Sequence, residues 1–389
     1  MAPDDDQARC AGAARLTFSL DPTRALLAAL GNPETQYPII HVGGTNGKGS
    51  VCWLVAEALR AAGWRTALYT SPHLVDLRER MLVDGQPIRR EALAMWTERL
   101  RPVVEREGAS FFEETTAIAF ADFAARRADV AVVEVGLGGR LDATNVVTPV
   151  VTAITRVRRE HTEYLGESIE GIAREKAGIA KPAVPLIVGE RDPSLVEVMR
   201  RHAEEVGAPV MRAEDPWDGP LALVGAHQRE NAAVALGILR HLPADLRPSA
   251  DAVAQAFART TVHGRFDARG PWLFDVAHNP DGVDALCAAL AAHPPLRPLH
   301  AIVGILADKD WPVMLQRLHA VVDRLWMTDP PSAPADRRLD LALVTVPVEP
   351  DFDRALATAR VGAGTVLVTG SFHTVGDAMA RLPGFAPLD

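Results

Sequence analysis

The chain has 389 residues, a length that suits two domains better than one core. Its 48% hydrophobic and 23% charged residues are ordinary for a folded globular protein and exclude a mainly disordered one. The formal net charge of −9 argues against a general binder of nucleic acid or of membrane surfaces.

The cysteine spacing and the N-terminal residues indicate the expected cellular compartment. Cys10, Cys52 and Cys287 are far apart and form no C-x-x-C pair, so we expect neither a disulfide framework nor a zinc site. The acidic segment 1–7 lacks the apolar core of a signal peptide, and no uncharged apolar run is long enough to span a bilayer. We therefore expect a cytoplasmic protein with no membrane partner.

Apolar strand-like runs alternate with helical patterns along the chain, which is typical of a parallel sheet covered by helices. The first series has expected strands at 37–42, 65–69, 130–135, 150–154 and 184–188, and expected helices at 48–61, 115–125, 169–180, 194–206 and 229–239. The second has expected strands at 272–275, 299–303, 323–327, 341–346 and 365–368, and expected helices at 280–291, 311–318 and 351–359.

The boundary between the two series falls in residues 244–263. We therefore predict an α/β protein with two domains. Residues 1–258 would form a P-loop ATPase-like domain with a parallel sheet, and residues 264–389 a smaller Rossmann-like α/β domain.

The strongest local pattern is Gly43-Gly44-Thr45-Asn46-Gly47-Lys48-Gly49-Ser50, which lies between an expected strand and an expected helix. Such a turn directs backbone N–H groups and a helix N-terminus at a phosphate. Lys48 would reach the β- and γ-phosphates, and Ser50 would ligate Mg²⁺. The pattern is a shortened form of G-x-x-x-x-G-K-[ST]. The alternative, a plain glycine-rich turn, does not account for the lysine and the serine at these places.

Phosphoryl transfer from ATP requires a divalent metal, and open α/β sheets bind ligands at the carboxyl ends of their strands. Ser71, Glu134 and His161 follow or end three expected strands. Taken singly, each has a simpler explanation: a turn residue, an ion pair and a surface histidine. For His161 alone, the simpler explanation is the favoured one.

Beyond these residues, a wider set of segments carries a pattern, and they are His41–Ser50, Ser71–Leu74, Glu134–Asn145, His161–Gly166, Arg174–Ile179, Gly264–Phe266, Asp275–Pro280, Asp308–Asp310 and Gly370–Val375. From about residue 16 to 380, this order of segments resembles the dihydrofolate synthase/folylpolyglutamate synthase family of the Mur ligase superfamily.

The resemblance implies roles that spacing alone does not give. Gly44, Thr45, Asn46, Gly47, Lys48, Gly49 and Ser50 would bind ATP, and one or two Mg²⁺ ions would be held by Ser50, Ser71, Glu134 and His161. Lys176 matches a lysine that CO₂ converts to a carbamate, and it joins Lys48 and His161 in the implied catalytic set. Without the resemblance, we would interpret Lys176 as a helix-face lysine paired with Glu175 or another neighbour.

Further implied contacts concern the nucleotide and the acid substrate. Asn231 would contact nucleotide at the domain junction, and Arg265, Asp275 and His278 would reach ATP from the second domain. The pterin-containing acid would lie near Leu16, Thr17, Phe18, Ser110, Phe111, Phe112, Glu113, Leu141, Asp142 and Ala143.

Three departures from the family pattern are visible. Glu160 replaces the usual Asp before the metal-binding histidine, Val262-His263 replaces the usual residues before Gly-Arg, and Ser19-Leu20-Asp21-Pro22 replaces Gly-Leu-Glu/Asp-Arg. The first departure changes the residue next to the expected metal ligand His161, and the last changes the segment that adjoins the expected pterin contacts.

The resemblance thus implies a monomeric ATP-dependent ligase that joins L-glutamate to dihydropteroate, to folate polyglutamates or to both, through an acyl phosphate. Its partners would be small molecules, with no nucleic acid. One alternative is a ligase of the same superfamily that acts on another carboxylate, although segments 111–113 and 142–145 favour folate. Another is an inactive nucleotide-binding regulatory module. Against it stand the retained residues Lys48, Ser71, Glu134, His161 and Lys176. A GTPase or motor is weaker still, because no guanine-reading motif follows the loop.

Overall fold

The computed structural model describes residues 19–382, and it confirms the α/β class. Contacts divide these residues into two compact units. The N-terminal unit contains residues up to 72 together with 78–220 and 229–258, and the C-terminal unit contains 73–77, 221–228 and the residues from 259 onward. Two short segments that precede residue 259 in the chain, 73–77 and 221–228, therefore belong to the C-terminal unit.

The N-terminal unit is built on an eight-stranded sheet with the order β4-β3-β2-β5-β1-β6-β7-β8. Its strands are β1 Ile39–Gly43, β2 Thr66–Tyr69, β3 Met81–Val83, β4 Gln86–Pro87, β5 Val130–Glu134, β6 Val151–Ile154, β7 Leu186–Val188 and β8 Val210–Arg212. The six strands from β2 to β8 in this order are parallel, and the edge strands β3 and β4 are antiparallel.

The helices of this unit are α1 Asp21–Ala29, α2 Lys48–Ala61, α3 Arg90–Glu107, α4 Phe111–Ala125, α5 Thr162–Leu165, α6 Ile169–Ala177, α7 Pro193–Val206, α8 Ala226–Arg240, which belongs to this unit from residue 229 onward, and α9 Ala250–Phe257. The central strands are buried along their whole length, as expected for parallel strands covered on both faces. Alternate residues of a strand face opposite sides of a sheet, and Ile39 and Val133 pack in one core cluster with Phe120 and Phe123.

The C-terminal unit has a five-stranded sheet with the order β12-β11-β13-β10-β9, in which only β9 is antiparallel. Its strands are β9 Asp267–Arg269, β10 Trp272–Phe274, β11 Leu299–Val303, β12 Arg324–Met327 and β13 Thr365–Thr369. Its helices are α10 Pro280–Ala292, α11 Trp311–His319, α12 Phe352–Arg360 and α13 Phe372–Arg381.

The strand predicted at residues 341–346 is wrong. Residues Leu341–Leu343 form a short 3-10 helix, and the Asp340 side chain accepts a hydrogen bond from the Ala342 N–H. Leu341, Val344 and Val346 pack against the core of the C-terminal unit, whereas Leu343 is exposed. A short apolar run does not distinguish a strand from other ways of burying the same side chains.

No helix among residues 19–382 is both long enough and apolar enough to cross a membrane.

Candidate active site

The glycine-rich loop follows β1, which lies between β5 and β6 in the sheet, and helix α2 begins directly at Lys48. Gly44 and Gly47 have φ values of +136° and +93°, in a region that glycine tolerates and other residues rarely adopt. A Cβ atom at Gly47 would also clash with the Asn231 side chain. The loop therefore requires glycine at both positions, and Asn231 lies against it.

Hydrogen bonds join the loop to the segment that follows β6. The Thr45 N–H donates to Arg156 O at 2.7 Å. The Thr45 hydroxyl lies 3.2 Å from Arg158 O, to which it donates, and 3.0 Å from the Arg158 N–H, from which it accepts. The neighbouring strand end thereby fixes the loop.

Lys48, Glu134 and Ser71 meet beneath the loop. The Lys48 Nζ atom lies 3.1 Å from Thr45 O and 3.9 Å from Glu134 Oε1. Glu134 ends β5 and is 4% exposed, and its Oε2 accepts the Ser71 N–H at 3.1 Å. A buried carboxylate beside a loop built for phosphate is the geometry expected of a metal-dependent phosphoryl-transfer site.

The oxygen groups present suit a hard divalent cation. Ser50 lies in the first turn of α2, is 2% exposed and follows Gly49, where a Cβ atom would lie 3.6 Å from Glu134 Oε2. Hydroxyl and carboxylate oxygens are the ligands that Mg²⁺ prefers. Among residues 19–382, no three His, Cys, Asp or Glu side chains group closely enough to hold a metal, so hydroxyl and phosphate oxygens would complete any coordination sphere.

His161 precedes the short helix α5 with a φ of +54°, and its Nδ1 lies 3.8 Å from Glu163 Oε1. Its role as a metal ligand stays a prediction.

Lys176 lies inside the N-terminal unit and not on an open helix face. It is 5% exposed, and its Nζ donates to Gly44 O at 2.9 Å. Burial, and then the nearby charge of Lys48, lower the pKa of Lys176 to about 7. The neighbouring Glu175 pairs with Arg140 at 3.0 Å. Lys176 is therefore an amine with a substantial neutral fraction at neutral pH, in contact with the phosphate loop.

The residues expected near the acid substrate divide into two groups. Ser110 and Glu113 form a capping box at the start of α4, in which the Ser110 N–H donates to Glu113 Oε2 at 2.7 Å. The Phe112 ring packs against the backbone of Gly136, where a Cβ atom would clash with it, and lies 6.1 Å from the Tyr69 ring. The Arg80 guanidinium lies 5.6 Å from the Phe111 ring centroid.

Asp142 and Ala143 are buried and Leu141 is partly buried beside this aromatic group, whereas Leu16, Thr17 and Phe18 lie outside the described residues. Oδ2 of Asp142 accepts the Leu137 N–H at 2.7 Å, and its Oδ1 accepts the Thr144 N–H at 3.0 Å. Burial raises the pKa of the Asp142 carboxyl despite these donors.

Three expected nucleotide contacts lie together within the C-terminal unit. The Arg265 guanidinium is 5.2 Å from the Phe372 ring centroid, and the His278 ring is 5.5 Å from the same ring. Asp275 accepts the N–H groups of Phe266 at 2.9 Å and of Ala277 at 3.0 Å, and burial raises its pKa.

Two ion pairs that were not predicted from the sequence support the segment beside the phosphate loop. Arg158 pairs with the buried Glu190 at 3.2 Å, and Arg156 pairs with Glu230, which precedes Asn231. The arginines themselves were visible in the sequence after β6. Their partners lie just after β7 and in α8, so only the fold reveals the pairing.

Comparison with known proteins agrees with this geometry. Residues 42–215 match the Mur ligase middle domain, and residues 258–372 match the Mur ligase glutamate ligase domain. The dihydrofolate synthase/folylpolyglutamate synthase of Escherichia coli is 34% identical over 94% of this chain and 91% of that protein. The Bacillus subtilis protein of the same name is 30% identical over 95% of this chain and 96% of that protein.

Solved structures agree as well. Mycobacterium tuberculosis folylpolyglutamate synthase complexed with ADP has a TM-score of 0.85 and 32% identity, covering 94% of this chain and 95% of that chain. Escherichia coli FolC in complex with DHPP and ADP has a TM-score of 0.84 and 33% identity, covering 93% of this chain and 92% of that chain. The chain spans only 49% of a Halobacterium salinarum relative, a probable bifunctional folylpolyglutamate synthase/dihydropteroate synthase, to which it is 35% identical.

Two α/β units, with a glycine-rich loop beside the pair formed by the partly buried Lys48 and the buried Glu134, define a nucleotide-dependent ligase of the Mur type. Within that class, the chain belongs to the dihydrofolate synthase/folylpolyglutamate synthase family.

Proposed function

We propose that this protein uses ATP to join L-glutamate to dihydropteroate and to folate substrates. The observation that carries the proposal is the contact of Lys48 with Glu134 beneath a loop in which two glycines have positive φ. The family relationship supports glutamate as the amine and a pterin-containing acid as the carboxylate.

A free carboxylate is a poor acyl donor because its leaving group would be oxide. In the proposed first step, a carboxylate oxygen of the acid bonds to the γ-phosphorus of ATP while the bond between that phosphorus and the β–γ bridging oxygen breaks. ADP leaves, and an acyl phosphate remains. Lys48 and the N–H groups of the loop stabilise the negative charge on the transferring oxygens.

The metal that such a transfer needs would be held by Ser50, Glu134 and Ser71, with His161 as a further ligand, and it would offset charge on the phosphate oxygens. In the second step, the glutamate amine attacks the acyl carbon and passes through a tetrahedral intermediate. The bond from carbon to phosphate oxygen breaks, phosphate leaves, and the nitrogen loses a proton. Arg265, Asp275, His278 and Asn231 are proposed to contact the nucleotide.

We also propose that Lys176 carries a carbamate, formed when its neutral amine attacks CO₂ and loses a proton. Burial and a pKa of about 7 supply that neutral amine, and the carbamate nitrogen keeps one N–H that can still donate to Gly44 O. The modification replaces a cation beside Lys48 with an anion, which removes like-charge repulsion near the phosphate site.

The test is ADP release by purified protein, measured with dihydropteroate and with tetrahydrofolate in parallel, each with and without glutamate. Release that requires both the acid and glutamate supports a ligase, and the two acids separate dihydrofolate synthase from polyglutamate synthase activity. Lys48→Ala should reduce the rate by about 100-fold or more. Unchanged turnover in Lys48→Ala would refute the scheme, and ADP release without either folate acid would be hydrolysis of ATP by water and not ligation.

We place this reaction in the cytoplasm, which the free thiols of Cys52 and Cys287 support.

A further inference from the structure

A buried chain of three polar side chains links the phosphate-loop strand to the segment after β5. His41 belongs to β1, and its Nε2 lies 2.8 Å from the Thr144 hydroxyl oxygen. The Thr144 hydroxyl in turn bonds Asp142 Oδ1. All three residues are buried, and the ligase chemistry proposed above uses neither His41 nor Thr144.

The chemistry of the three groups sets the direction of each hydrogen bond. A carboxylate only accepts, so the Thr144 hydroxyl donates to Asp142 and its oxygen accepts from His41 Nε2–H. His41 is then a neutral ring with a bare Nδ1, and this Nδ1 has no hydrogen-bond partner among residues 19–382. Burial, and then the nearby Lys181, lower the pKa of His41 to about 3, in agreement with a neutral ring.

The far end of the chain organises the loop of residues 136–142. Asp142 spans this loop from end to end, because its Oδ2 accepts the Leu137 N–H at 2.7 Å while its Oδ1 accepts from Thr144. These three hydrogen bonds let the carboxylate hold the two ends of the loop together.

The loop held in this way lies between two parts of the candidate site. At one end, Gly136 packs against the Phe112 ring. Further along, Gly139 packs against the backbone of helix α6, where a Cβ atom would lie 2.7 Å from Glu175 O and 2.8 Å from Lys176 O. Leu137, whose N–H the clamp holds, adjoins Gly136, so loss of the clamp would first disturb the contact with the Phe112 ring, while Gly139 stays packed against helix α6.

We propose that His41 and Thr144 are positioning residues that act through Asp142 to hold loop 136–142 in register with the strand that carries the phosphate loop. The inference rests on the proposed function for its kinetic consequence, because the loop borders the groups assigned to the acid substrate. Its structural consequence is independent of that function.

The matched variants are Thr144→Val, which keeps the shape but loses the hydroxyl, and Thr144→Ser, which keeps the hydroxyl. In Thr144→Val, we expect the KM for the acid to rise by about tenfold and the KM for ATP to change by less than about twofold. Thr144→Ser should have KM values for the acid and for ATP that are close to those of the wild type. Equal changes in the two KM values, or no change in either, would overturn the proposal.

Hydrogen exchange tests the clamp without turnover. Amides in segment 136–142, Leu137 above all, should exchange faster in Thr144→Val than in wild type and in Thr144→Ser, while helix α7 stays unchanged. Equal exchange in all three proteins would overturn the positioning role. If Thr144→Val does not fold, His41→Met removes the donor at the other end of the chain and is read in the same way. Absence of acid-dependent ADP release by the wild-type protein would contradict the proposed function. The hydrogen-exchange result would still test whether His41 and Thr144 position the loop.

Discussion

The side-chain amine of Lys176 donates to the carbonyl oxygen of Gly44 across 2.9 Å. This single bond ties helix α6 to the phosphate loop, at a glycine whose φ of +136° already sets the path of the backbone. Any change in the charge or bonding of Lys176 therefore alters the loop at which nucleotide is expected to bind. The first two predictions concern this neighbourhood.

The first prediction is that Lys176 gains the mass of one CO₂. Its neutral amine is available at neutral pH because burial lowers its pKa to about 7. Native mass spectrometry in bicarbonate buffer should reveal the adduct, and it should disappear after acidification, which reverses carbamate formation. Lys176→Ala should lose at least about 100-fold in activity and recover part of it with added small carboxylates.

Lys181 provides the matched control for that adduct. It is also partly buried, with a lowered pKa, and its Nζ donates to Asn145 O at 3.1 Å. Lys181→Ala should keep the adduct and Lys176→Ala should lose it. An adduct that survives in Lys176→Ala, or full activity in that variant without rescue, would contradict the carbamate.

The second prediction concerns the bonds between the Thr45 hydroxyl and the backbone of Arg158. Thr45→Val removes both bonds and keeps the side-chain shape, so the loop should lose its fixed position and the KM for ATP should rise by about tenfold. Thr45→Ser keeps the hydroxyl and should behave like wild type. An ATP KM that is the same in Thr45→Val and Thr45→Ser would indicate that the loop holds its shape without this bond.

Much of this site was predictable because it depends on local rules. The glycine loop needs positive φ values where the sequence places Gly44 and Gly47, and the carboxyl ends of parallel strands bring Lys48, Glu134 and Ser71 to one edge. The alternation of apolar runs and helical patterns predicted both sheets, although not their strand orders.

Other features depend on partners that are distant in sequence. Glu190 pairs with Arg158 only because β7 lies beside β6, and His41 bonds Thr144 across 103 positions of the chain. Helix α3 was not predicted, although it runs from Arg90 to Glu107 with Pro102 in its interior. The strand prediction for residues 341–346 was wrong because the apolar spacing there fits a strand as well as a packed turn.

The third prediction is a pH dependence of stability that comes from His41. Its pKa is about 3 in the folded protein and about 6.5 in a free chain. Below pH 6.5 the unfolded chain therefore binds a proton that the folded protein excludes, so acid lowers the free energy of unfolding until the pH approaches 3. His41→Gln retains a donor and does not titrate.

Urea unfolding between pH 7 and 5 tests this dependence. The difference in stability, wild type minus His41→Gln, should fall as the pH falls, with a limiting slope of about 1.4 kcal/mol per pH unit. Carboxylates common to both proteins cancel in that difference. A difference that stays constant across the range would mean that His41 takes up its proton equally in the folded and unfolded states.

The fourth prediction concerns the close approach of the Phe112 ring to Gly136. Gly136→Ala forces the ring or the loop to move and should lower the free energy of unfolding by about 1–3 kcal/mol. Phe112→Leu removes the outer ring atoms, so in that background Gly136→Ala should lower the free energy of unfolding by less. A double-mutant cycle by urea unfolding measures the coupling between the two positions. Gly171→Ala is the control, because a Cβ atom at Gly171 would lie 3.6 Å from Ser168, which is an ordinary contact distance. Gly171 lies within helix α6, where alanine is favoured over glycine by up to about 1 kcal/mol. A Gly136→Ala cost that is identical in both backgrounds would place the strain elsewhere than in the ring.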